Sequence, residues 1–241
     1  MKPVISVIIA SYNEEKLLPK CLTSLQKQTY SKDKYEIIVV DNGSSDNTAA
    51  IAKQFTQNVY YYDEIQGCGA ARNYGFTKSK GSIIVFMDAD SSAESEWLEK
   101  IVRYFEDKSL ICIGGSAMPD NNGSVVRVIF GFYNALFAMH KLIGMPLLWG
   151  FNMAIRRKAY ETVGGINHKL AGSEDWEFVT RLKKHYGTKT IRYVHDLPTT
   201  TSTRKHKKAN VFLRYAIDGI RNYFFIVILQ KTKSKPIFNV R

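Results

Sequence analysis

SIIVFMDAD, residues 82–90, decides the fold. Residues 82–87 are a short apolar run rich in β-branched and aromatic side chains, the pattern of a strand buried on both faces. The run ends abruptly in Asp88-Ala89-Asp90. The same construction occurs twice upstream: VISVIIA, residues 4–10, leads into Ser11-Tyr12-Asn13-Glu14-Glu15, and EIIVV, residues 36–40, leads into Asp41-Asn42-Gly43-Ser44. Helical patterns separate these strands. Leu17, Leu18, Cys21, Leu22 and Leu25 share one face, with Pro19 harmless in a first turn. A second helix is expected over 48–55, capped by Asp46 or a neighbouring Ser, and a third over 70–78, after a short strand at 59–62. Strand and helix alternating in this way imply an α/β protein with a mostly parallel sheet. In such a sheet all three polar clusters lie at one carboxyl edge, where open α/β sheets bind their ligands.

Asp88-Ala89-Asp90 puts two carboxylates in one turn, an arrangement suited to a hard divalent cation that keeps positions open for phosphate oxygens. Taken in order, VISVIIASYNEEKLLPKCLTSL, YEIIVVDNGSSDNT, GCGAARNYG, IIVFMDAD and GSEDWEF resemble the family 2 glycosyltransferases of the GT-A (Rossmann-like) fold. The resemblance covers roughly residues 4–194. It implies a nucleotide-diphosphate sugar as donor, with Mn2+ or Mg2+ as cofactor. It also implies roles: Asn13, Glu14 and Glu15 lining the nucleotide pocket, Asp41 holding base or ribose, Arg72 near the diphosphate, Asp88 near ribose and metal, Asp90 on the metal. Glu174-Asp175 matches the family's acidic pair, with Glu174 in the donor site and Asp175 as catalytic base in an inverting transfer. His195, at the end of a strand expected over 190–194, is a candidate third metal ligand as a neutral imidazole.

A dinucleotide-dependent oxidoreductase is the weaker alternative: Gly67-Cys68-Gly69-Ala70-Ala71-Arg72 begins like that fingerprint, but Arg72 stands where close helix packing needs a small residue. Downstream, further strands are expected over 111–117 and 150–155, and helices over 158–163 and 174–186. The apolar, aromatic stretch 125–149 contains Gly131, Gly144 and Pro146, expected to break any long helix, and 198–208 reads as a polar loop. The expected organisation is a GT-A domain over 1–200, its nucleotide-binding half about 1–118 and its acceptor half about 119–200, followed by a basic amphipathic tail, 201–241.

The 241-residue chain carries a net charge of +12, and residues 201–241 hold ten Lys and Arg against the single acid Asp218. Within this tail Asn210, Arg214, Asp218 and Arg221 form a narrow polar stripe on an otherwise apolar helix pattern, suited to a membrane interface or to packing. The implied acceptor is a lipid-linked or cell-envelope glycan, and the implied location is cytoplasmic, peripheral at the inner face of an anionic membrane. A nucleic-acid or membrane-surface binding module is the alternative of another class; the tail's long apolar runs and the lack of a nucleic-acid fold pattern disfavour nucleic acid. Residues 1–10 do not read as a signal peptide, and the apolar stretches 128–139 and 211–229 fall short of a spanning helix. Cys21, Cys68 and Cys112 are too widely spaced for a disulfide framework or zinc site, which fits a reducing compartment.

Overall fold

The computed structural model describes residues 4–121, 123–142, 144–170, 172–204 and 221–229. Strands β1 (Ile5–Ser11), β2 (Tyr35–Asp41), β3 (Val59–Tyr61) and β4 (Ile83–Asp88) pair in parallel in the order β3-β2-β1-β4. Strands β1, β2 and β4 alternate their side chains between two buried faces. Ile5, Val7 and Ile9 of β1 join Val39, Val85 and Met87 in a core closed by α1 (Leu18–Gln26) and α4 (Trp97–Tyr104). Ile8 joins Ile38, Ile84 and Phe86 in a second core under α3 (Cys68–Lys78), α6 (Arg157–Thr162) and α7 (Glu174–Tyr186). Each large aliphatic side chain so buried contributes about 1.5–3 kcal/mol. The doubly apolar strands follow from this two-sided burial.

Beyond β4 the sheet turns mixed. β7 (Asn152–Arg156) lies antiparallel between β4 and β6 (Cys112–Pro119), and β8 (Ile191–Thr201) runs parallel to β6 and antiparallel to the short β5 (Ser91–Ala93). Four of the seven strand pairings are parallel. Asn152 fastens this half: its amide donates to Ser116 O at 3.0 Å and Leu197 O at 2.8 Å, while its Oδ1 accepts from Trp97 Nε1 at 3.2 Å.

Three expectations change. The second helix, α2, is shorter than expected and spans Thr48–Ala52. The stretch from Ser124 to Leu142 is one 19-residue helix, α5, which runs through Gly131 and ends before Gly144. A glycine inside a helix costs only about 1 kcal/mol, and α5 recovers more by burying Phe130 and Phe137 and by docking Asn134 on Ala117, whose O and N it bonds at 2.8 and 3.1 Å. The polar loop read at 198–208 is in fact strand as far as Thr201. After an irregularity between Gly115 and Ala117, Thr199, Thr200 and Thr201 pair with both β5 and the end of β6. Threonine is β-branched and suits a pleated surface, and Thr201 Oγ1 accepts a bond of 3.1 Å from Ser91 Oγ. The elements β5 and α4 have no counterpart in the sequence reading.

Candidate active site

The parallel register aligns Ser11 with Asp41 and Ala10 with Asp88, so the three strand-end clusters meet at one edge. Antiparallel β7 begins where β4 ends, with Asn152 opposite Met87. It brings Gly150, and through it α7, to the same edge. The acids at the strand ends and the Glu174-Asp175 pair thereby meet at one edge of the sheet.

Arg72 is the hub of that edge. Its side chain is 3% exposed, with Nη2 2.7 Å from Asp88 Oδ1 and Nη1 3.9 Å from Glu174 Oε1. Burial opposes its charge, but the negative charge that Cys68, Asp88, Glu174 and Asp175 can carry around it outweighs burial and keeps the guanidinium protonated. The sequence reading places Arg72 near the diphosphate; the structure buries it among the carboxylates, bonded to Asp88 and facing Glu174. Its Nε has no hydrogen-bond partner.

Asp175 is half-buried, and its Oδ2 accepts from Gly150 N at 3.0 Å while Oδ1 accepts from Trp176 N at 2.9 Å. Gly150 is required by proximity: a Cβ there would lie 2.9 Å from Arg72 Nη1 and 3.0 Å from Asp175 Cβ. Burial, then repulsion from Glu174, pushes the Asp175 carboxyl up to about 7, against the pull of Arg72 and of the two amides. A carboxylate with this affinity for a proton is suited to general-base work near neutral pH.

The nucleotide-side candidates divide by what they already bond. Asn13 is exposed, and its Oδ1 accepts from Ser45 N at 2.8 Å, tying the loop after β1 to the loop after β2. Asp41 is buried, and its Oδ1 accepts from Ser44 N at 2.9 Å. Glu15 is occupied by α2: its Oε2 accepts from Asn47 N and Nδ2, both at 3.2 Å. Glu14 is buried with Oε1 against Arg204 and Oε2 without a partner. Asn13 and Ser173 are the two non-glycine residues with positive φ among those described, 53° and 57°. Each immediately precedes a site acid, Glu14 or Glu174, so backbone strain collects at this edge.

Asp88 and Asp90 supply the oxygen donors a hard divalent cation prefers. The site draws positive charge as it stands: Arg204 Nη2 lies 3.5 Å from Asp90 Oδ2 and also contacts Glu14. The Asp88 and Asp90 carboxylates are a partial donor set, which leaves a cation's remaining positions to the oxygens of a ligand. His195 does not join it. It is exposed on β8 with its ring edge-on to Tyr193 at 5.0 Å, and among the described residues no three His, Cys, Asp or Glu side chains gather tightly enough for a metal.

Sequence reasoning missed Arg204, which looked like the first charge of the basic tail. The signal available was the acid excess at the strand ends, which needs a counter-charge. It also missed Asn42, whose amide donates to Tyr62 O at 2.6 Å and Ile65 O at 3.0 Å while its Oδ1 accepts from Gly67 N at 2.7 Å, shaping the loop that enters α3. Of the amphipathic tail, Asn210, Arg214, Asp218 and the basic residues beyond Arg204 lie outside the described residues, apart from Arg221. Among the described residues no helix is long and apolar enough to cross a membrane.

The model of Glycosyl transferase family 2 matches residues 6–164, and that of the N-terminal domain of galactosyltransferase matches residues 131–207. Glycosyltransferase AglE of Haloferax volcanii is 35% identical over 179 residues, covering 71% of this chain; the chain spans 59% of that relative's length. Among solved structures, a mannosyltransferase from Pyrobaculum calidifontis in complex with GDP-Man and Mn2+ superposes with a TM-score of 0.78 at 21% identity, over 99% of this chain and 67% of that one. A fragment of S. aureus TarS in complex with UDP-GlcNAc gives 0.70 at 19% identity, over 96% and 68%.

Proposed function

Since the chain belongs to glycosyl transferase family 2 and carries its GT-A fold, we propose that it transfers a sugar from a nucleotide-diphosphate sugar to an acceptor hydroxyl with inversion. One observation carries the reading: Asp175, a carboxylate raised toward neutrality, sits across Arg72 from the acids that end β4. Asp175 takes the acceptor proton as the acceptor oxygen attacks the anomeric carbon. The bond from that carbon to the diphosphate oxygen breaks, and its electron pair leaves with the nucleoside diphosphate. Arg72 holds Asp88 and Glu174 in place while Gly150 N and Trp176 N fix the carboxylate's orientation. Asp88 and Asp90 would hold the divalent cation, which when bound neutralises charge on the departing diphosphate. The Mn2+ and nucleotide sugars in the superposed structures support this assignment. The acceptor we favour is a lipid-linked or cell-envelope glycan at the cytoplasmic membrane face, on the support of the basic tail.

A thermal-shift series with nucleoside diphosphates, with and without manganese, tests the donor site. Stabilisation of about 2 kcal/mol corresponds to ligand at about thirty times its dissociation constant. Asp90→Ala is expected to abolish the manganese-dependent part of that shift; an unchanged calorimetric titration would remove Asp90 from the site. The pH dependence is a second check. Only ionised Asp175 accepts a proton, so with its carboxyl at about 7 the rate at pH 6 should lie about tenfold below its alkaline plateau. A rate flat down to pH 5 would exclude Asp175 as the base.

A further inference from the structure

Helix α5 is apolar on both of its faces, which a helix lying on a protein surface ordinarily is not. Its inner face is accounted for by Phe130, Asn134, Phe137 and His140. On its outer face Val128, Phe132 and Met139 are 71, 64 and 62% exposed, and Ala135 between them is also exposed. These positions recur at intervals of four, three and four, one continuous stripe. A second set of exposed apolar side chains, Phe224, Phe225, Ile228 and Leu229, belongs to the π-helical segment Tyr223–Ile228 and the residue after it. Tyr223 OH meets His140 Nε2 at 2.7 Å, which moors that segment to the C-terminal end of α5.

The sequence of α5 is one-sided in charge: residues 124–142 carry Arg127 and Lys141 and no Asp or Glu. The tail adds ten Lys and Arg against one acid. An apolar stripe set among cations matches a surface that is apolar inside and anionic outside. We infer that the outer face of α5, with the exposed side chains of residues 224–229, is the surface by which this protein beds into an anionic lipid bilayer.

The inference rests on the acceptor reading above and deepens it. Phe137, on the inner face of α5, stacks on Trp149 at 4.4 Å, and Trp149 immediately precedes Gly150, whose amide holds Asp175. The helix that meets the membrane is therefore packed, through Trp149, against the segment that holds the base.

The test compares full-length protein with Phe132→Asp/Met139→Asp, and with Phe132→Leu as the conservative control. Each is sedimented with vesicles of equal parts phosphatidylcholine and phosphatidylglycerol, and with phosphatidylcholine alone. Both substituted side chains are exposed, so a nucleoside diphosphate thermal shift should be equal in all three proteins. Wild type and Phe132→Leu should sediment with the mixed vesicles, and the double variant should partition at least about tenfold more weakly. Salt should release the double variant fully and wild type only in part, because salt screens the charges and leaves apolar burial in place. Equal partitioning of wild type and double variant would overturn the role of α5 while leaving the tail as a membrane contact. Failure of wild type to sediment at all would overturn both. A wild-type dimer in analytical ultracentrifugation that the double variant converts to monomer would assign the stripe to a second copy of the chain, and also overturn the inference. If the vesicle results hold but no nucleoside diphosphate stabilises any of the proteins, the transferase reading fails and the membrane surface stands.

Discussion

Asp175→Asn is expected to lower the transfer rate by about 10³-fold, within the range that positioned proton transfer supplies, while leaving nucleotide affinity close to that of the unaltered protein. The amide keeps the volume and one oxygen to accept from Gly150 N or Trp176 N, but it cannot take the proton of an attacking hydroxyl. Single-turnover transfer measured beside nucleotide titration separates the two effects, and a variant that transfers at the original rate would leave Asp175 only the task of starting α7. A thermodynamic signature accompanies the kinetic one. Because the folded-state value of Asp175 is raised to about 7 from an ordinary 3.8, the folded chain binds more protons than the unfolded chain between those values. The stability this group contributes is complete below pH 4 and is lost as pH rises through 7. Asparagine does not titrate, so the variant's stability should decline less between pH 5 and pH 8, as read by chemical denaturation at each pH.

The second large effect belongs to Arg72. Replacing it with Met keeps much of the buried volume and removes the charge that Asp88 and Glu174 face. Breaking a buried ion pair from one side costs about 3–5 kcal/mol, because the remaining carboxylates must either stay charged without a partner or take up protons. The same substitution withdraws one of the influences that hold Asp175 down, so whatever activity survives should have its acid limb at higher pH. Arg72→Lys should recover part of the stability, since a charge returns without the two-pronged geometry. A Met variant within about 0.5 kcal/mol of the original, the range of an ordinary surface change, would contradict the hub assigned to Arg72.

What could be read without coordinates was what depends on local pattern. The strands at 82–87, 4–10 and 36–40 announced themselves because two-sided burial leaves an unbroken apolar run, and the acids after them followed as the carboxyl edge of a parallel sheet. The helix at 174–186 begins and ends where its apolar spacing indicated. Non-local pairing stayed hidden. Nothing in Pro198 to Thr201 states that these residues will find β5 more than a hundred residues upstream, and without that pairing Arg204 cannot be placed beside Glu14 and Asp90. Gly131 misled for a related reason: its intrinsic cost is small, and tertiary docking of α5 decides the matter. Arg72 was singled out as a candidate site residue, yet its burial beneath the carboxylates depends on Gly150 and α7 closing over it, contacts set by the sheet rather than by spacing.

The place of β7 has a consequence for how the chain is made. Its two neighbours are β4 and β6, so a strand from the later part of the sequence is wedged between two from the earlier part. Until residues 152–156 leave the ribosome, the growing polypeptide presents Ile83–Asp88 as an open strand border, apolar and ready to pair with a stranger. About sixty residues separate the two strands, several seconds of synthesis at about 5–20 residues per second. Residues 1–118 and 119–200 are therefore not two modules that mature in turn. The first waits for a piece of the second, and over that interval the nascent chain depends on cellular holding factors or on its own speed of collapse.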